Sequence, residues 1–233
     1  MAGGFNTVRE LDDLVPVRTV LVSVSDKTAL PELVDSLLTV NPEIMVYSTG
    51  GTYSRIREIL GDSWQKNLSQ VSDYTGQPEM QGGLVKTLDY RIYLGLLSEP
   101  YNEAHREDLE RLGASLFDMT VVNLYPFTQA VAAEDVTLEE ARAHIDIGGP
   151  TMLRASAKNF IRVAAVCRPE DYAEVGAHLK THGGATTLAL RFELARRAFR
   201  HTAGYDTAIA AHLDRLEAES ALAQYNTGGS RTP

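Results

Sequence analysis

The chain has 233 residues, 44% of them hydrophobic, which is enough apolar side chain to bury a full core without metals or disulfides. A single cysteine, Cys167, excludes a disulfide framework, and a formal net charge of −9 argues against a general nucleic-acid surface, which needs clustered Lys and Arg. There is no basic segment followed by an apolar core at the N-terminus and no membrane-length apolar run, so export and membrane insertion are not expected and the chain reads as cytoplasmic.

Strand-like apolar runs alternate with helical patterns along the chain. "RTVLVSV" precedes a helix over Ala29 to Leu38, and "EIMVYS" precedes one over Thr52 to Leu60. "FDMTVVNLY" is followed by a helical stretch from Leu138 to His144, and "RVAAVC" by one from Glu170 to Leu179. That order predicts an α/β fold on a mostly parallel sheet, with strands apolar on both faces. Cys167, inside "RVAAVCRP", reads as a buried strand residue, and Thr186 to Glu217 reads as a long helix with Leu188, Phe192, Ala195, Phe199 and Ala203 on one stripe that faces the core.

Ligands in open parallel sheets sit beyond the carboxyl ends of the strands, where loops lead into helices, so those corners carry the functional reading. The first is "SVSDKT", Ser23 to Thr28. Ser25 or Asp26 serves there either as the cap of a helix beginning near Lys27 or as half of a phosphate pocket. The second, "YSTGGT", places Gly50 and Gly51 between hydroxyl residues at a helix start, a way to hold a phosphate on backbone N–H groups. Two such corners on successive βα units, one of them with Lys27, point to a phosphate monoester.

The stretch from Ser72 to Leu97 is too rich in Gly and polar residues for a regular helix and too long for a plain turn. Lys86 and Thr87 stand together in it, as a cation and donor or as solvated surface residues. "VVNLYPF" ends a buried strand in Asn123 and Tyr125, which either read a heterocycle and move a proton or close the strand with turn hydrogen bonds. In "IDIGGPTMLRASAKNF", Asp146 precedes Gly148, Gly149 and a first-turn Pro150, and Thr151, Arg154 and Lys158 then share a helix face. Glycine N–H groups at that helix start suit a developing oxyanion, while the alternative is an amphipathic helix with a basic face.

Taken in order, "SVSDKT", "STGGT", "VSDYTGQPEM", "VKTL", "VVNLYPF", "IDIGGPTMLRASAKN" and "AFRHTAGYD" resemble the N-terminal cyclohydrolase domain of the bifunctional purine-biosynthesis enzymes that carry AICAR transformylase and IMP cyclohydrolase activities. The resemblance runs from about Thr19 to Leu213. It implies a methylglyoxal-synthase-like three-layer α/β fold with C-terminal helices, a homodimer, and closure of the formylated carboxamide ribonucleotide FAICAR to IMP with loss of water. It implies Lys86, Tyr125, Asp146 and Lys158 as catalytic groups. Ser25, Lys27, Thr49, Gly50, Gly51 and Thr52 are the implied phosphate-binding set, with Thr87, Asn123, Leu124, Ile147 and Gly148 completing the substrate contacts. The expected domain layout is an extension over 1–16, the cyclohydrolase-like domain over 17–217 and a disordered tail over 218–233.

The sequence departs from the family pattern around "VKTL". Arginine is usual two residues before the lysine, and His-Pro with a second histidine follows it; here the positions read Leu84, Asp89-Tyr90 and Tyr93. Arg91 or Tyr93 is expected to rebuild those contacts. The transformylase portion that follows this domain in the family does not occur in this sequence, so either a separate formylating enzyme supplies the substrate, which is the expectation here, or the sequence is a piece of a longer protein. No metal or cofactor is expected, because the six histidines form no paired ligand spacing and neither a Walker loop nor a dinucleotide fingerprint is present. His201 with Tyr205 reads as an interface or packing pair. Two other functions share the implied fold: a methylglyoxal-synthase-like lyase on a triose phosphate, and a non-catalytic nucleotide-binding module like the allosteric domain of carbamoyl-phosphate synthetase.

Overall fold

A computed structural model of the chain describes residues 7–77, 86–99, 101–133 and 135–225. Five parallel strands form the central sheet: β2 (Thr19–Val24), β3 (Met45–Ser48), β4 (Leu68–Gln70), β5 (Met119–Asn123) and β6 (Ala164–Val166), in the order β4-β3-β2-β5-β6. A separate antiparallel pair joins β1 (Val15–Pro16) to β7 (Ala185–Thr186), which fastens part of the N-terminal extension.

The two-residue period of the strands divides the core. Val20, Val22 and Val24 of β2, with Met119 and Val121 of β5, point into one layer. There they meet α1 (Leu30–Val40), α2 (Gly50–Leu60) and α10 (Tyr172–Thr181) through Leu33, Leu37, Ile56 and Val175. Leu21 and Val122 point the other way, onto α5 (Tyr90–Leu97) and α9 (Gly148–Lys158) through Ile92, Leu96, Met152 and Leu153. Each of these aliphatic side chains contributes about 1.5–3 kcal/mol on burial. The 26-residue α11 (Leu188–Leu213) reaches both layers, giving Leu190 and Leu194 to the first and Ala195 and Ala198 to the second. Of the stripe expected to face the core only Ala195 is buried, while Phe192, Phe199 and Ala203 are exposed, because the buried face is rotated onto Leu190, Leu194 and Ala198.

A buried ion pair fastens the amino ends of the strands. Arg162 donates to Asp118 Oδ1 at 3.0 Å and to the carbonyls of Gly95 and Ser98, while Asp118 Oδ2 accepts the N–H groups of Arg18 and Thr19. Arg191, fully buried on α11, donates to the carbonyls of Asp13, Phe160, Ile161 and Thr186.

Expected and observed elements differ in three places. The Ser72 to Leu97 stretch, expected to be irregular, contains most of α4 (Val71–Thr75) and all of α5; the buried side chain of Asp89 starts α5 by accepting the Arg91 N–H at 2.8 Å. Residues 78–85 of that stretch, including Leu84, lie outside the described residues. The first helix begins at Leu30 rather than near Lys27, because Asp26 spends its carboxylate on a local turn with Thr28. Within the expected tail, Ala218–Leu222 forms the short helix α12, and Tyr225 donates to Glu139 at 2.8 Å; residues 226–233 lie outside the described residues. Cys167 is buried just past β6, where burial pushes its thiol up to about 11.

Candidate active site

The carboxyl ends of β2, β3 and β5 open into a cavity of about 680 Å³, a size that suits a nucleotide. Its first wall is the turn after β2. Asp26 accepts from the Thr28 N–H and hydroxyl at 2.9 and 2.7 Å, and Lys27 Nζ donates to the Ser25 carbonyl at 3.1 Å, so Ser25 and Lys27 both line the cavity. Thr49 precedes the second wall, the first turn of α2, and its side chain makes no capping bond. The N–H groups of that turn are donors without helical partners. Gly50 has φ +49°, a conformation that side chains rarely adopt. A Cβ on Gly50 would lie 3.5 Å from Lys86 Nζ, and one on Gly51 3.9 Å from Lys27 Cε, so two ammonium-bearing side chains pass over a bare glycine pair.

The opposite wall carries the proton-handling candidates. Tyr125, 59% exposed, stands at the mouth, and Asp146 lies on the turn between α8 (Leu138–Ala143) and α9. Asp146 Oδ1 accepts the Gly149 N–H at 3.0 Å. Burial holds its carboxyl above the usual value, and the N–H groups of Gly149, Gly148 and Tyr125 pull it partway back. A partly desolvated carboxylate of this kind suits a general base. Gly149 is required by close approach, because a Cβ there would meet Asp146 Oδ2 at 2.5 Å and Leu124 Cδ2 at 2.6 Å.

Most of the residues singled out in the sequence meet in this one cavity. Thr52, Thr87, Asn123, Ile147 and Gly148 line it together with the residues already placed. Lys158 and Leu124 do not. Lys158 is exposed at the last turn of α9, ten residues from Gly148 and thus about 15 Å along the helix. The side chain of Leu124 is buried in the core against Gly149. The N–H groups proposed for an oxyanion are occupied: Gly149 donates to Asp146, and Gly148 also stabilises that carboxylate.

Arg91 and Tyr93 do not rebuild the missing cationic contacts. Starting α5 at Tyr90 turns Arg91 away, so that Nη1 donates to the Tyr74 carbonyl at 2.8 Å. Tyr93 is packed against the α5–α9 core, where burial pushes its phenol up to about 12. Asp89 accepts from Gln77 Nε2 at 2.7 Å.

Two residues of the site were not legible in the sequence. His144 lines the cavity, and Tyr205, expected to be half of an interface or packing pair, accepts the Asp146 backbone N–H at 2.8 Å and donates to the His144 carbonyl at 3.4 Å. The motif "AFRHTAGYD" carried Tyr205, but only the fold reveals that α11 passes behind the Asp146 turn. Among the described residues no group of three or more His, Cys, Asp or Glu is placed to hold a metal ion, and no helix is long and apolar enough to cross a membrane.

Comparison with known proteins bears on the same residues. Residues 30–151 match the family model described as MGS-like domain, and residues 156–231 match that described as AICARFT/IMPCHase bienzyme. The bifunctional purine biosynthesis protein PurH of Synechococcus sp. (strain CC9902) is 43% identical over 198 residues, which are 85% of this chain and 37% of that protein. PurH of Xylella fastidiosa (strain 9a5c) is 44% identical over 206 residues, 88% of this chain and 37% of that protein. The chain thus spans little more than a third of the length of these curated relatives. Among solved structures, that of ForH superposes with a TM-score of 0.68 at 31% identity, covering 83% of this chain and 97% of that one.

Proposed function

This chain belongs to the MGS-like domain family, in the branch that includes the AICARFT/IMPCHase bienzymes, and on that premise we propose that it is an IMP cyclohydrolase closing FAICAR to IMP with release of water. The observation that carries the reading is the convergence of Lys27, the Gly50–Gly51 turn, Lys86, Tyr125 and Asp146 on one cavity. The turn after β2 and the α2 N-terminus take the ribose phosphate. Its grip contributes binding energy that positions the reacting groups at the other end.

The chemistry needs few catalytic parts, because nucleophile and electrophile share one molecule. The carboxamide nitrogen attacks the formyl carbon; a C–N bond forms, and the carbonyl electron pair moves onto oxygen. Asp146 takes a proton from the attacking nitrogen, with Tyr125 beside it to relay. Lys86 stabilises the new oxyanion and protonates it, the proton collected by Asp146 supplies the second with which that oxygen departs as water, and the proton lost by the former formamide nitrogen as the ring C=N forms restores Lys86. The cavity is larger than a triose phosphate requires, which favours this substrate over the methylglyoxal-forming alternative.

The proposed assembly is a homodimer in the cytoplasm, with FAICAR supplied by a formylating activity located elsewhere. Exposed Phe192 and Phe199 on α11, with the Arg154 guanidinium 5.7 Å above the Phe199 ring, form the face on which a second copy would pack. Lys158 lies on the same side of α9 as Arg154 and keeps its catalytic role in this reading by entering the cavity of that second copy. The test is turnover. Purified protein incubated with FAICAR forms IMP, followed by the rise in purine absorbance, and Lys86→Ala and Asp146→Asn each lower kcat by about 100-fold or more. Absence of IMP, or methylglyoxal formed from dihydroxyacetone phosphate instead, refutes the assignment.

A further inference from the structure

Two polar side chains that the sequence offers as ligand contacts are already committed to protein backbone. Asn123, 9% exposed at the end of β5, accepts on Oδ1 from the N–H groups of Ser25 at 2.6 Å and Asp26 at 2.9 Å. Its Nδ2 donates to the Asp26 carbonyl at 2.9 Å. A side-chain amide oxygen has two lone pairs, and both are used here. Thr52, 5% exposed in the first turn of α2, accepts the Val24 N–H on Oγ1 at 3.1 Å and donates its single hydroxyl proton to the Val24 carbonyl at 3.0 Å.

The bonds converge on three consecutive residues, Val24 to Asp26, from two sides. In the sheet register Val24 pairs with Asn123, so the amide projects past the strand end to the turn that follows it. From the other side α2 presents Thr52, and below it Ser48 donates to the Val22 carbonyl at 2.7 Å. The turn of Ser25 and Lys27 is therefore not held by a helix cap, since the helix begins only at Leu30. It is held by five side-chain hydrogen bonds from two neighbouring elements.

We propose that Asn123 and Thr52 are positioning residues, a two-sided clamp on the Val24–Asp26 turn that fixes Ser25 and Lys27 for the anionic group of the ligand, and that neither touches the heterocycle. This rests on the proposed function only in taking that turn as a phosphate grip. A pre-set grip binds more tightly because the ordering of its loop is not charged against the ligand. Loss of either side of the clamp leaves Ser25 and Lys27 present but unfixed, and weakens the phosphate end selectively.

The test compares inorganic phosphate, IMP and inosine as ligands in titration calorimetry on the intact protein. Thr52→Val keeps the side-chain shape and removes both bonds to Val24, and Asn123→Ala removes the other three. Each is expected to weaken inorganic phosphate and IMP by a common factor of about tenfold while leaving inosine unchanged. Thr52→Ser restores both affinities, because it returns the hydroxyl. Unchanged phosphate affinity in Thr52→Val, or weaker inosine binding with phosphate intact in Asn123→Ala, overturns the clamp. Failure of the unaltered protein to bind inorganic phosphate overturns the phosphate reading itself, a result separable from failure of the clamp alone. Should Asn123→Ala not fold, Thr52→Val with its serine counterpart decides the matter.

Discussion

Gly149→Ala isolates the contact between Asp146 and the first turn of α9. The added Cβ would stand 2.5 Å from Asp146 Oδ2 and 2.6 Å from Leu124 Cδ2, so both must retreat by roughly 1 Å to reach ordinary van der Waals distance. Overpacking of this kind costs about 1–3 kcal/mol, and replacing glycine within a helix returns about 0.5–1 kcal/mol. The clash therefore wins. At about 2–4 °C per kcal/mol for a chain of this size, Tm falls by roughly 1–10 °C. Displacing the carboxylate also lowers kcat, by on the order of 10- to 100-fold, while KM for the substrate stays near its original value because the phosphate corner is untouched. Gly204→Ala is the control: no atom lies within 4 Å of the Cβ position, so helix propensity acts alone and Tm rises by about 1–4 °C with turnover unchanged. The assays are thermal unfolding by circular dichroism and FAICAR turnover at saturating and limiting substrate. Unaltered Tm and kcat in Gly149→Ala would refute the claimed packing of Asp146 on the helix start.

Three other outcomes follow from the structure. Because the folded pKa of Asp146 is raised by burial, its ionisation opposes folding: the native state binds the proton more tightly, so stability declines as pH rises through the window between the unfolded and folded values. Asp146→Asn is accordingly expected to unfold at or above the original Tm at pH 7, with the difference vanishing at acid pH, and a lower Tm at pH 7 contradicts this. Arg162→Ala leaves Asp118 buried without its partner and is expected to lose about 3–5 kcal/mol in urea unfolding, a loss near zero being incompatible with the pairing described. If Lys158 acts across a dimer, Lys158→Ala and Asp146→Asn proteins that are inactive alone regain turnover when mixed and reassembled, since one site of the mixed dimer is intact; no recovery places Lys158 outside the reaction.

Apolar patterning made the sheet legible, because Val20 to Val24 and Met119 to Val122 are hydrophobic on both faces and no other element class suits such short runs. Corner chemistry was legible for the same reason: Gly50, Gly51 and Lys27 occur where parallel strands must end. What the sequence hid was the allocation of polar groups among competing partners. Asn123 and Thr52 have the composition of ligand residues, yet their side chains bond to the backbone of Val24, Ser25 and Asp26, an outcome set by strand register rather than local sequence. The Gly149 N–H is similarly taken by Asp146. Lys158 shares a helix with Gly148, but ten residues of rise separate what the motif presents as neighbours. Helix α5 was obscured because its start depends on Asp89, a buried cap whose second oxygen is satisfied by Gln77 from twelve residues earlier.

The single rod α11 backs two remote places. Arg191 near its start grasps the N-terminal segment and the edge pair, while Tyr205, fourteen residues and about 21 Å further on, props the turn bearing Asp146. Fraying from the distal end would thus silence proton transfer before it loosened anion capture, leaving a species that still retains nucleotide but no longer converts it.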